Sequence, residues 1–193
     1  MTNETENRLT QAQRVEATPP FSFRRSRSRP RFDKVRVAET GRYGLGVFAE
    51  EPIRMGRAVG RVHGELKPTD YRSHYCMDFE GGVLEPDAPY RFLNHCCEPN
   101  CQLIEWEIEG EDASDSEAPR SRKFFELWVH ALRDIEKGEE LTIDYGWDWK
   151  SAIPCKCGSP HCRGWICRLD ELDLCRELNG DPANYLENQD EET

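Results

Sequence analysis

No cysteine occurs before Cys76, although the chain of 193 residues carries nine. That excludes a disulfide framework over the first third of the sequence. In an intracellular chain, a late cluster of thiols argues for metal ahead of disulfides. Long apolar runs are also missing: no stretch approaches the ~20 residues of a membrane-spanning helix. The opening "MTNETENRLTQAQRVEATPP" lacks an apolar signal core, which leads us to expect a soluble, intracellular protein without membrane contact. Positive charge is in deficit, 26 Lys and Arg against 37 Asp and Glu, for a net charge of -11. An acidic body disfavours nucleic acid as main partner and favours basic ones. The mean hydropathy of -0.82 implies that part of the chain does not pack.

Charge is unevenly spread. Phe23 to Arg36, "FRRSRSRPRFDKVR", is basic, whereas Glu105 to Glu117 and the stretch after Leu169 are acidic. Residues 1–31 read as a disordered basic arm, polar and then Arg/Ser/Pro-rich, with nucleic-acid contact as a weak possible use. From Phe32 the pattern changes to short strands. "KVRVAET" alternates, and "GRYGLGVFAEEPI" sets glycines 41, 44 and 46 directly before the apolar VFA. "GRAVGRVHGEL" reads as one more strand with glycine punctuation. "HYCMDFEGGVLEP" reads as two strands around a Gly-Gly turn. "QLIEWEIEG" and "KFFELWVHALRDI" are strand-rich, and the acidic loop Glu109 to Ser121 joins them as a hairpin insert. "IEKGEELTIDYGW" holds a turn and the strand LTI. Many short strands with turns every eight to twelve residues predict a mainly β domain of small curved sheets. Leu169, Leu172, Cys175 and Leu178, spaced by three, predict one short amphipathic C-terminal helix, with the last dozen residues loose.

Three constellations carry chemistry. Cys155, Cys157 and Cys162 in "CKCGSPHC" are close enough to converge on one Zn²⁺, whose thiolate bonds are ~2.3 Å. Three ligands leave one position of a tetrahedron open. Cys167 and His161 are the near candidates for it, and Cys96, Cys97 and Cys101 in "RFLNHCCEPNC" the remote ones. "GEELTIDYGWDW" ends a strand in aromatics, for which core packing is the ordinary explanation. The glycines of "GRYGLGVF" allow a close backbone approach but equally mark a turn.

In order, the glycine strand, Asn-His-x-Cys-x-Pro-Asn, Glu-Leu-Thr-x-Asp-Tyr and Cys-x-Cys-x4-Cys resemble the SET-domain protein lysine methyltransferases with a post-SET zinc segment, over about Phe32 to Leu169. The resemblance implies a SET fold with a pseudoknot over 32–150, a zinc-bound post-SET segment over 151–170, and a short helix with an acidic tail over 171–193. It implies a protein-lysine N-methyltransferase that takes a methyl group from S-adenosylmethionine to a lysine of a basic, lysine-rich protein such as a histone tail. Under it, Gly44, Leu45 and Gly46 lie beside the cofactor, Asn94 holds its amino-acid end, and the backbone of His95 meets the adenine. Tyr145 is the catalytic tyrosine, Ile143 and Trp147 border the substrate channel, and Trp165 covers the adenine or else fills the core of the zinc segment. The fourth zinc ligand becomes Cys97, beside Cys155, Cys157 and Cys162, with Cys101 in reserve. The substrate would add as a strand near His63 to Asp78. His95 and Asp144 are read as buried structural groups and not as a general base.

The chain departs from the family pattern at Cys96, where Ser is usual, and at Ile143, where an aromatic is common. Without cysteines before Cys76 it shows no pre-SET cluster. The competing reading is a catalytically inactive SET-like, zinc-stabilised module that binds basic peptides.

Overall fold

The computed structural model describes residues 34–42, 44–111 and 121–187. The basic arm and the tip of the acidic insert lie outside the described residues. The strands, in chain order, are β1 (Val35–Glu39), β2 (Leu45–Ala49), β3 (Ala58–Arg61), β4 (Gly64–Lys67), β5 (Met77–Phe79), β6 (Gly82–Pro86), β7 (Asn94–His95), β8 (Cys101–Glu111), β9 (Ser121–Ala131), β10 (Glu140–Ile143), β11 (Ile153–Pro154) and β12 (Trp165–Ile166). Two helices close the described chain, α1 (Leu172–Asn179) and α2 (Pro182–Glu187). The β-dominated expectation holds. The strands form small sheets in the orders β1-β2-β10-β7, β3-β9-β8 and β4-β6-β5, with β11 paired to β12.

Alternation decides which face of each strand is buried. In β9, Leu127, Val129 and Ala131 point into the main core, while Trp128 and His130 between them lie on the opposite face, where His130 is also buried and stacks on Trp106. They join Val47, Val59, Leu141, Ile143 and Ile135 in the main core. Each fully buried aliphatic side chain there contributes roughly 1.5–3 kcal/mol. "GRAVGRVHGEL", read as one strand, divides into β3 and β4, which belong to different sheets. Val62 between them is buried and its N–H bonds to the Leu127 carbonyl at 2.8 Å, so the chain turns off one sheet toward the other there. The hairpin ladder of β8 and β9 runs out to the pair Glu111 and Ser121.

The Asn-His segment is tied in at both ends. β7 pairs in parallel with β10, Asn94 opposite Thr142 and His95 opposite Ile143. At the far end Asn100 is buried and fully engaged. Its Nδ2 donates to the Glu140 carbonyl at 2.7 Å and to Glu139 Oε1 at 3.1 Å, and its Oδ1 accepts from the Thr142 N–H at 2.8 Å. A side-chain amide thus replaces strand pairing where the segment leaves β10. Asn100→Ala is expected to strand a buried carbonyl and a buried N–H, at about 3 kcal/mol. Urea titration should show a lower midpoint at unchanged slope.

A second, smaller core lies at the C-terminal end: Ala152, Trp165, Cys167, Leu172 and Cys175, flanked by Trp149 and Tyr185. The helix expected from the spacing of three exists, but only part of the stripe is buried. Leu172 and Cys175 face inward, whereas Leu169 is 73% and Leu178 54% exposed. A spacing of three falls short of a full turn and drifts by about 60° per step, so the ends of such a stripe leave the buried face. Of the tail expected to be loose from 182 onward, Pro182–Glu187 form α2, whose Tyr185 ring meets Trp165 edge-on with centroids 5.3 Å apart, and the rest lies outside the described residues.

Candidate functional site

A cleft of about 140 Å³ opens between the β1–β2 turn, β7, β10 and the zinc-segment cysteines, lined by Thr40, Arg42, Asn94, His95, Cys96, Glu140, Thr142 and Cys157. The glycines at the start of β2 stand beside the cleft for two different reasons. Gly44 has φ of +77°, a left-handed conformation that only glycine adopts without strain. Gly46 needs space: a Cβ there would sit 2.6 Å from Glu140 Oε1 and 3.1 Å from Asn94 Nδ2. Asn94 Nδ2 donates both to the Leu45 carbonyl at 3.0 Å and to Glu140 Oε1 at 2.8 Å. Its donors face the protein, which leaves its carbonyl oxygen to receive a donor from the cleft.

His95 connects this wall to Tyr145. Burial holds the imidazole down at about pH 4, outweighing the opposing pull of Asp144, so the ring is neutral near pH 7. Its Nδ1 accepts the Tyr145 N–H at 3.2 Å, and its Nε2 lies 3.4 Å from Cys97 Sγ. Both ring nitrogens are thereby engaged in holding the fold. The Tyr145 hydroxyl donates to the Leu93 carbonyl at 2.8 Å, and burial pushes its pKa up to about 12. Tyr145 therefore keeps its proton across the physiological range. Its ring lies between His95 and Trp147, with centroids 5.4 and 5.2 Å away.

Beside the cleft, the sulfurs of Cys97, Cys155, Cys157 and Cys162 all lie within 4.8 Å of one another, none in a disulfide. Cys97 Sγ is 3.6 Å from Cys155 Sγ and 4.0 Å from Cys162 Sγ. A tetrahedron with ~2.3 Å zinc–sulfur bonds has edges of about 3.8 Å, so the donor set and its spacing fit Zn²⁺. The other candidates lie elsewhere. Cys101 is buried in the main core, Cys167 in the second core, Cys96 faces the cleft, and His161 is exposed near Glu98. Burial raises the Cys155 thiol; burial also acts on Cys157, but hydrogen bonds from the Cys97 and Ser159 backbone outweigh it and bring that thiol down to about 7.

The structure brings Leu45, Gly46 and Tyr145 to Asn94 and His95 of β7, with Gly44 next in the chain, and places Trp147 against the Tyr145 ring. Ile143 lies in the main core at the end of β10. Trp165 is not at the cleft. It is fully buried in the second core, with its Nε1 donating to the Gly180 carbonyl at 3.3 Å. The core alternative weighed for this residue therefore matches its packing, because α2 covers the ring from the side.

Sequence reasoning missed Arg163. Its guanidinium grips Asp144 with two bonds, Nη1 to Oδ2 and Nη2 to Oδ1, each 2.7 Å. The missed signal was its place directly after the ligand Cys162. It also missed Glu140, the carboxylate that orients Asn94.

A protein-family model described as SET domain matches residues 44–146. The chain is 35% identical to the histone-lysine N-methyltransferase ash1 of Drosophila melanogaster over 142 residues, 64% of this chain and 6% of the relative. It is 34% identical to the histone-lysine N-methyltransferase trithorax of the same fly over 69% of this chain and 4% of the relative. With the histone-lysine N-methyltransferase ASHR3 of Arabidopsis thaliana the figures are 30%, 69% and 28%. The chain thus spans between 4% and 28% of the length of these three relatives. Among solved structures, KRYPTONITE in complex with mCHG DNA and SAH aligns at a TM-score of 0.54 and 25% identity, covering 73% of this chain and 30% of that one.

Proposed function

The chain belongs to the SET-domain family, and from that premise we propose that it is a protein-lysine N-methyltransferase that uses S-adenosylmethionine and a structural zinc ion. The observation that carries the reading is the junction at β7: Asn94 lines the cleft, and the next residue, His95, holds the backbone of Tyr145. A cofactor wall and a neutral phenol are thus joined through two consecutive residues. The structural neighbour in complex with SAH, and relatives named for histone lysine, support the same chemistry.

S-adenosylmethionine, when bound, supplies an electrophilic methyl group on a sulfonium. Gly44 to Gly46 would let it lie against the backbone, and Asn94 would offer its amide oxygen to the ammonium of the cofactor's amino-acid end. The lysine must arrive as a neutral amine, against a free pKa of about 10.4. A dry channel and a nearby positive charge lower that value. Tyr145 would aim the amine through its hydroxyl and draw the methyl along C–H···O contacts together with neighbouring carbonyls. Ile143 and Trp147 would set the width of the channel. Cys97, Cys155, Cys157 and Cys162 would hold zinc as thiolates, so loading would release the protons these thiols still carry. The net charge of -11 favours a basic partner such as a lysine-rich tail.

The test is transfer of labelled methyl from S-adenosylmethionine to mixed core histones and to a lysine-rich lysate by the zinc-loaded chain. Label that depends on Tyr145 is the expected result. Peptide binding without transfer, unaffected by Tyr145→Phe, would make the chain a binding module instead. A narrower expectation concerns Gly46. Gly46→Ala should push Glu140 away from Asn94 and weaken SAH binding by about tenfold, read by calorimetry, at little cost in folding, since its neighbours are side-chain atoms that can move.

A further inference from the structure

Resting on the methyltransferase reading, we propose that Asp144 and Arg163 form a single positioning device through which the zinc segment holds Tyr145 in place. Asp144 immediately precedes Tyr145. Its Oδ1 also accepts the Gly146 N–H at 3.2 Å, so this one carboxylate braces the backbone on both sides of the tyrosine. Gly146 has φ of +57°, a turn that the Asp144 side chain closes. Arg163 takes both oxygens of that carboxylate at 2.7 Å in a bidentate pair. Such a fork fixes orientation as well as distance, which a single lysine contact would not.

The other end of the device is anchored in the zinc segment. Arg163 follows Cys162, its backbone N–H donates to Cys97 Sγ at 3.3 Å, and its carbonyl accepts from Arg176 of α1 at 3.3 Å. Its side chain is only 12% exposed, against 33% for Asp144. The guanidinium Nε is buried with no hydrogen-bond partner, and Asp144 is the main counter-charge of this largely buried cation, so losing that carboxylate would leave the guanidinium poorly compensated. The connection therefore runs from the cysteine cluster through Arg163 and Asp144 to the backbone of Tyr145, whose own N–H is held by His95. The two oxygens of Asp144 are spent on three N–H groups, an arrangement suited to holding a loop and not to taking a proton from the substrate. Neither residue touches the reacting atoms; both act through the placement of Tyr145.

A double-mutant cycle on the zinc-loaded chain tests this: Asp144→Asn, Arg163→Ala and the double variant, with Arg163→Lys as the conservative control. The first readout is amide hydrogen exchange at residues 144–147, followed by NMR, which requires no substrate. Each single variant should quicken exchange at Tyr145 and Gly146 at least tenfold, the double variant no further, and Arg163→Lys less than Arg163→Ala. Zinc content and SAH affinity should stay at the wild-type level. With core histones as the probe, kcat should fall 10–50-fold in each single variant at unchanged KM for S-adenosylmethionine, and the double should match the singles. Exchange that stays protected in the singles, or losses that multiply in the double variant, would overturn the proposal. Loss of zinc in Arg163→Ala would also overturn it, since Arg163 would then be a support of the metal site. Absence of SAH binding and methyl transfer in the wild type would instead count against the methyltransferase reading, while the exchange result would still decide the coupling.

Discussion

Tyr145→Phe is expected to lower methyl transfer by about 10²–10³-fold, equivalent to roughly 3–4 kcal/mol in the barrier, a size typical for removing one preorganised polar group at a reacting centre. The substitution leaves the ring between His95 and Trp147 and deletes only the hydroxyl that donates to the Leu93 carbonyl. Loss of that bond should cost about 1 kcal/mol of folding stability. SAH affinity should hold, because Asn94 and Glu140, which line the cleft proposed for the cofactor, are held to each other and packed against Gly46 independently of the hydroxyl. The check is a labelled-methyl assay alongside calorimetry with SAH. The pH profile supplies a second check. With its pKa pushed up to about 12 by burial, Tyr145 is protonated below that value, so its own ionisation should leave no inflection between pH 6 and 10. Full activity in Tyr145→Phe would remove the residue from the mechanism.

Removing zinc is expected to have the largest effect on the structure itself. Chelation, or Cys155→Ser, should release the segment that Cys97 fastens to β7 and should open the second core. Metal-site binding energies of about 10–16 kcal/mol in small zinc domains set the upper bound on what is lost. Cys97 and Cys155 are 58 positions apart in sequence, so an ion held by both would close a long loop as well as a local turn. Two consequences can be measured separately. Trp165, fully buried against Cys167, Leu172 and Tyr185, should become exposed, and the tryptophan emission should shift to the red. SAH binding should fall at least tenfold, since Cys157 lines the cleft. The strands around Val47, Val129 and Leu141 should keep their far-ultraviolet signal, because none of the ligands belongs to that core. Unchanged emission after the zinc has been removed would mean that packing alone holds the segment.

The sequence by itself determined the class of fold and the order of the chemistry. Alternating short strands between glycine turns specify small sheets, because strand periodicity and φ > 0 positions such as Gly44 are local properties. The run Gly44 to Gly46, Asn94-His95, Tyr145 and the late cysteines could be read as a set because their residue types and order are themselves the signal. The tertiary structure alone decided which thiols meet. Five residues competed for one ligand position, and spacing could not choose Cys97 over Cys96 or Cys101, since convergence depends on how the threaded segment faces the cysteine-rich segment. It showed, too, that Trp165 packs in the second core against Tyr185 of α2, because an apolar residue shows that it will be buried but not against what. It also revealed Asn100 bracing β10 and Arg163 gripping Asp144, partners 42 and 19 positions apart. Bonds between residues so distant leave no period in the sequence. They exist only once the backbone has brought a donor and an acceptor within about 3 Å of each other.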